Sequence, residues 1–128
     1  ECAGVHGVVI PARRCASVNE TVIRISAGAA NHVAVAKVGN INDAIRKLKD
    51  EFVNVCCADM GGDSIYDAHF DEDTAIVIGS EGFGVKELTA KLCDKTVAIP
   101  QRGKVNSLNA SVACGIICYE VVRQRYNK

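Results

Sequence analysis

The chain has no surplus of charge of either sign, with 15 Lys plus Arg against 15 Asp plus Glu. No global basic field therefore marks nucleic acid as a partner, and any RNA contact has to come from local patches. It also lacks a long apolar run. Nothing approaches the roughly 18 to 20 residues that span a bilayer, and the first residues hold no basic stretch leading into a signal-like core. A cytoplasmic protein without a membrane partner is expected. Spaced metal ligands are missing too: His6, His32 and His69 pair with no cysteine at a zinc-binding interval, so no metal is expected. Neither common nucleotide fingerprint is present. The glycines of Gly79-Ser80-Glu81-Gly82-Phe83-Gly84 do not follow G-x-G-x-x-G, and Ala98 stands where a phosphate loop ending in Gly103-Lys104 needs its first glycine.

What is there fits one domain. At 128 residues roughly two-thirds of the unfolded chain's surface can be buried, and 48% hydrophobic with 23% charged residues is an ordinary globular balance. The cysteines number 7, an odd count, and most lie inside apolar runs: Cys56 and Cys57 in one, Cys114 and Cys118 in another. They read as buried thiols in a reducing compartment rather than a disulfide framework.

Short apolar runs alternate with helical patterns, which argues for an α/β fold, a parallel sheet flanked by helices. Strands are expected near 7–10, 33–38, 53–58, 75–78 and 96–99. A first helix runs through 21–25, with Asn19 as cap and Gly28 as stop. A second spans 42–51, where Ala44, Ile45 and Leu48 form the apolar stripe. A third spans 85–92, and the last runs from Ser107 to Arg125. Glu1-Cys2-Ala3-Gly4-Val5 reads as the end of a helix, so a preceding segment is expected. Residues 61–73, polar, acidic and glycine-bearing, read as a surface connection. The last helix is apolar on nearly every side from Leu108 to Tyr119, so burial on several faces is expected, one of them against a second copy in a homodimer.

Two turns stand out as ligand-binding candidates. The first, Ile78-Gly79-Ser80-Glu81-Gly82-Phe83-Gly84-Val85, breaks an apolar run with glycines where backbone amides can face a ligand. The second, Ile99-Pro100-Gln101-Arg102-Gly103-Lys104-Val105-Asn106-Ser107-Leu108-Asn109-Ala110-Ser111, clusters amides and hydroxyls at the start of an apolar helix. One capping residue explains one of these groups; the rest need partners, because an unpaired buried polar group costs roughly 1 to 3 kcal/mol. The residues alone leave open which nucleotide-like ligand the turns hold.

These two stretches resemble the second and third motifs of the SpoU (TrmH-like) family of RNA ribose 2'-O-methyltransferases, and Ser26-Ala27-Gly28-Ala29 resembles that family's middle segment. The resemblance implies a SPOUT-type fold with a C-terminal deep trefoil knot, one catalytic domain over 1–128, bound S-adenosylmethionine, a homodimer, and methylation of a ribose hydroxyl in tRNA or rRNA, with large-subunit rRNA favoured. By matching position, Ile78, Gly79, Glu81, Gly82, Ile99, Ser107, Leu108 and Asn109 would bind the cofactor, and Asn109 and Glu81 would fix the geometry of transfer. Arg102 and Lys104, then Arg13 and Arg14, are the RNA-contact candidates, with Arg123 and Arg125 read first as a solvated face. The family's first motif, an Asn, a Gly and then an Arg that activates the hydroxyl, is expected upstream of Glu1. Without it, this chain is expected to bind cofactor while transferring methyl poorly. A knotted cofactor- or RNA-binding module without catalysis is the alternative.

Overall fold

A computed structural model describes residues 1–126 and divides the chain into two compact units, Glu1–Ala44 and Ile45–Lys128. In the first unit, β1 (Gly7–Pro11) and β2 (Ala34–Val38) pair in parallel, with Gly7 opposite Ala34 and Pro11 opposite Val38. Between them lie α1 (Glu20–Ile25) and a single 3₁₀ turn (Ala29–Asn31). As expected, Asn19 caps α1, its side chain accepting the Val22 N–H at 3.0 Å. Gly28, at φ 85, supplies the left-handed stop, donating its N–H to the Ile23 carbonyl. Residues 1–6 hold a turn closed by the Gly4 N–H on the Glu1 carbonyl, not the helix end read from the sequence. Gly4, at φ 71, adopts the left-handed backbone a glycine turn favours.

The helix α2 (Ile41–Asp50) begins on the Asn40 side chain, which accepts the N–H groups of Asn42 and Asp43. Its stripe buries Ile45.

The second unit is built on three parallel strands in the order β4-β3-β5, where β3 is Asn54–Ser64, β4 is Thr74–Ile78 and β5 is Lys95–Ala98. The expected strands are all present, but they form two ladders, β1 with β2 and β3 with β4 and β5. Val55, Cys56 and Cys57 are fully buried in β3, the apolar run a central parallel strand requires on both faces. Burial pushes the Cys57 thiol up to about 11, so it packs as a hydrophobe. Asp94 ties the strand start down: its carboxylate accepts the Val55 N–H at 2.8 Å and pairs with Lys49 at 3.1 Å. These contacts hold its carboxyl below the usual range, the Val55 N–H first among them.

The 61–73 segment departs from expectation. Gly61 to Ser64 continue β3, and Ile65 and Phe70 are fully buried, in one cluster with Cys56, Val97 and Ile117. Their burial is possible because α4 (Ala110–Tyr126) supplies the polar partners. Gln124 accepts the Phe70 N–H and donates to the Ala68 carbonyl, while Arg125 donates to the carbonyls of Phe70 and Glu72. Arg123 is engaged as well, on the buried carboxylate of Glu120, which it holds below the usual carboxylate range. Arg125 thus fastens α4 to the 70–72 segment, while the Arg123 pair stays within α4.

The last two helices start later than expected. α3 is Glu87–Leu92 rather than 85–92, since Gly84 at φ 67 keeps the turn open until Lys86. α4 begins at Ala110 rather than Ser107 because the capping carbonyl is that of Asn109, whose side-chain oxygen accepts the Ser111 N–H at 2.9 Å. Within the chain α4 buries Ile117 and Glu120 but leaves Val112 and Tyr119 half exposed. Among the described residues no helix is long and apolar enough to cross a membrane, and no group of His, Cys, Asp or Glu converges on a metal position.

Candidate binding site

In the second unit β3, β4 and β5 all point the same way, so the chain leaves the sheet repeatedly at one end, the end at which open α/β sheets bind ligands. A cavity of about 560 Å³ lies there.

The turn after β4 is closed by an antiparallel bridge between Ser80 and Gly84, with the Gly84 N–H on the Ser80 carbonyl at 2.9 Å and the Ser80 N–H on the Gly84 carbonyl at 3.1 Å. Gly82 at φ 83 and Gly84 at φ 67 take the left-handed backbone this needs. Gly79 is required for a different reason: a Cβ there would lie 2.2 Å from the Gly84 carbonyl carbon.

The second turn meets the first through Asn109. Its amide donates to Glu81 Oε1 at 3.2 Å while its carbonyl oxygen accepts the Ser111 N–H and hydroxyl and, at 3.4 Å, the Val112 N–H. One side chain therefore starts a helix and holds the glycine turn. Of the polar residues clustered at this helix start, Asn109 and Ser111 are paired with each other.

All the residues matched by motif gather on this cavity: Ile78, Gly79, Glu81 and Gly82 from the first turn, Ile99, Ser107, Leu108 and Asn109 from the second. Arg102 and Lys104 are exposed on the stretch between Gln101 and Ser107 and do not line it. Arg13 and Arg14 are exposed residues of the first unit, following β1, and Arg14 adopts φ 57.

Sequence reasoning missed a third wall, Ala58-Asp59-Met60. Here β3 leaves its ladder and returns: Ala58 and Asp63 both pair with Val97, so 59–62 bulge toward the cavity side of the strand end. Gly62 lets the chain come back, since a Cβ there would lie 2.5 Å from the Thr96 carbonyl. The Gly61-Gly62 pair following an apolar run was the available signal for such a bulge.

The chemistry of the walls is selective. Ile78, Ile99 and Leu108 give an apolar slot, and among the described lining residues the titratable side chains are the carboxylates of Asp59 and Glu81, with no Lys, Arg or His. A polyphosphate would find no cation here. A flat apolar ring carrying a positively charged group would find both its needs met.

The model of the SpoU rRNA Methylase family matches residues 1–119. An uncharacterized tRNA/rRNA methyltransferase of Mycobacterium ulcerans is 44% identical over 123 residues, covering 95% of this chain and 40% of that protein. One of Archaeoglobus fulgidus is 44% identical over 126 residues, covering 98% of this chain and 56% of that protein. The chain thus spans about 40% of the mycobacterial relative's length. Among solved structures, the SpoU methyltransferase AviRb from Streptomyces viridochromogenes, in complex with the cofactor AdoMet, superposes with a TM-score of 0.90 at 28% identity over 99% of this chain and 53% of that one. The A. aeolicus TrmH/SpoU tRNA modifying enzyme gives 0.85 at 28% identity, covering 98% of this chain and 64% of that one.

Proposed function

Because the chain belongs to the SpoU rRNA Methylase family, we propose that it forms the cofactor-binding core of a cytoplasmic enzyme that transfers methyl from S-adenosylmethionine to a ribose 2'-hydroxyl of tRNA or rRNA, large-subunit rRNA being favoured. The observation that carries this reading is the gathering of both motif turns around one cavity with apolar walls and carboxylates but no cation. Its volume of about 560 Å³ is in the range of small-molecule sites. The SPOUT-type knot of the C-terminal segment and the homodimer belong to the same proposal.

When bound, S-adenosylmethionine supplies an electrophilic methyl on a sulfonium. The chain's own residues hold and orient it. Ile78, Ile99 and Leu108 offer the adenine an apolar slot, and the glycine turn lets the backbone approach. Asn109 fixes Glu81, and Glu81 with Asp59 puts negative charge beside the cavity. Displacement at a methyl carbon gains most from such alignment.

Deprotonation of the ribose hydroxyl is a separate demand. General-base help is typically worth roughly 100- to 10,000-fold, and among the described lining residues the side chains able to give it are the carboxylates of Asp59 and Glu81.

Calorimetric titration with S-adenosylmethionine, its demethylated product and ATP tests the reading. The first two are expected to bind and ATP is not; a folded sample that binds none would reject it. Asn109→Asp is expected to keep the start of α4, since Asp caps as well as Asn, while setting a carboxylate against Glu81. Cofactor affinity should drop roughly tenfold, about 1.4 kcal/mol, with little change in thermal midpoint. Unchanged affinity would remove Asn109 from the positioning role.

The homodimer rests on α4. Val112 at 50% exposure and Tyr119 at 54%, with exposed Gly115 between them, lie on one helical face that the chain leaves uncovered. Sedimentation equilibrium should give twice the 13.6 kDa chain mass. Replacing Tyr119 and Val112 by glutamate should return it to the single mass, and a wild-type monomer would refute the interface.

A further inference from the structure

Phe83 is the most exposed large hydrophobic residue of the second unit, at 92%. It sits at the tip of the glycine turn, between Gly82 and Gly84, both left-handed, and inside the Ser80–Gly84 bridge. Its backbone is therefore held on either side. Its chain neighbours Glu81, Gly82 and Gly84 line the cavity, whereas Phe83 does not. The fold thus spends a rigid turn on holding an aromatic ring in water beside the cavity mouth, where burial of a ring of this size would otherwise be favourable.

The charges around the turn are of both signs, with the exposed Glu87 next to Lys86 and paired with Lys91. Carboxylates, Asp59 and Glu81, lie on the walls. Cations lie outside: Lys86 is exposed three residues beyond Phe83, and Arg102 and Lys104 are exposed on the second turn, which Asn109 joins to the first through Glu81. An exposed ring on a turn whose following and partner stretches carry exposed cations, in a chain of zero formal net charge, is a pattern suited to single-stranded nucleic acid. Stacking uses the face of any base, and the cations meet phosphates on either side.

We propose that Phe83 is the platform on which an unpaired base of the RNA substrate stacks while the adjoining ribose faces the cavity. The inference rests on the methyl-transfer reading and adds to it the form of the substrate. A base within a duplex has both faces covered by its neighbours, so only a nucleotide in a loop, bulge or splayed strand can lie on the ring. Phe83 is then a positioning residue that sets which nucleotides can present a 2'-hydroxyl, without reading base identity.

The sequence contains no tryptophan, so Phe83→Trp installs a single indole at the platform. Its fluorescence is to be followed during titration with single-stranded oligoadenylate and with the same strand annealed to oligouridylate, each in the presence of S-adenosylmethionine. The single strand should quench the indole strongly and the duplex much less. Phe83→Leu, apolar but not aromatic, should weaken binding of the single strand about tenfold, the scale of one lost base–aromatic stack. Both variants should take up S-adenosylmethionine as the parent does, which shows that the turn is intact. An unquenched indole at saturating single strand, equal quenching by the duplex, or parental RNA affinity in Phe83→Leu overturns the assignment. A parent chain that binds the RNA but not S-adenosylmethionine would instead overturn the methyl-transfer reading and leave the stacking result to stand by itself.

Discussion

Replacing Gly79 with alanine is expected to abolish measurable cofactor uptake at concentrations that saturate the parent. The added Cβ would lie 2.2 Å from the Gly84 carbonyl carbon and 2.6 Å from both the Gly84 oxygen and the Val85 nitrogen. These are backbone atoms, so no side chain can swing aside. Relief has to come from opening the Ser80–Gly84 bridge, and with it the wall formed by Glu81 and Gly82. Overpacking of this kind costs typically 1–3 kcal/mol and here falls on the turn itself. A loss of affinity of roughly 100-fold corresponds to about 2.7 kcal/mol. Gly82→Ala is a milder comparison: it meets nothing within 4 Å but sits at φ 83, so it should cost about 1 to 2 kcal/mol through backbone strain alone. Gly103→Ala, with open space around it and no positive φ, should do nothing. Calorimetry beside thermal melting separates the cases. Gly79→Ala binding within threefold of the parent would mean that the turn tolerates being opened and does not form the cofactor wall.

Phe70→Ala should destabilise the second unit by about 3 to 5 kcal/mol, a large part of the 5–15 kcal/mol available to an ordinary domain. The ring is fully buried with Ile65, Val97 and Ile117, and Lys95 lies over it at 4.8 Å from the centroid. Chemical denaturation should show a lower midpoint with the slope preserved, and Phe70→Leu should lose less. The effect should reach the site, because Val97 and Ile117 belong both to this cluster and to the cavity lining. A cost under 1 kcal/mol would show that the 65–70 segment is not anchored by the ring.

Phe70 also marks where the sequence is hard to read. Ile65 and Phe70 lie in a stretch rich in Gly and Asp, and local rules weigh that composition as a loop. What makes them core is non-local: Gln124 and Arg125 satisfy the backbone of this segment from more than 50 positions away. Elements whose causes are local came through well. The stripe of α2, the Asn19 cap and the apolar runs of β1 to β5 all lie where the pattern puts them, within a few residues. The start of α4 differs from expectation because Ser107 and Asn109 are both good caps, and the side-chain oxygen that accepts the first helical N–H groups is that of Asn109. Both motif turns were visible as clusters of glycine or polar residues against apolar runs. Asp59 was not, since the Gly61-Gly62 pair marks a bulge without saying that the strand will rejoin its ladder at Val97.

That departure has its own consequence for how such a site can change over time. Strands tolerate length changes badly, because one residue more or less turns every following side chain to the opposite face. Here Ala58 and Asp63 meet the same partner, Val97, so the ladder closes without counting what lies between. Insertions or deletions within 59–61 would recut the wall that carries Asp59 and Met60 while the sheet beneath keeps its register, so long as Gly62 remains to let the chain back in. The bulge is a place where descendants of one scaffold can fit different occupants without having to solve the fold again.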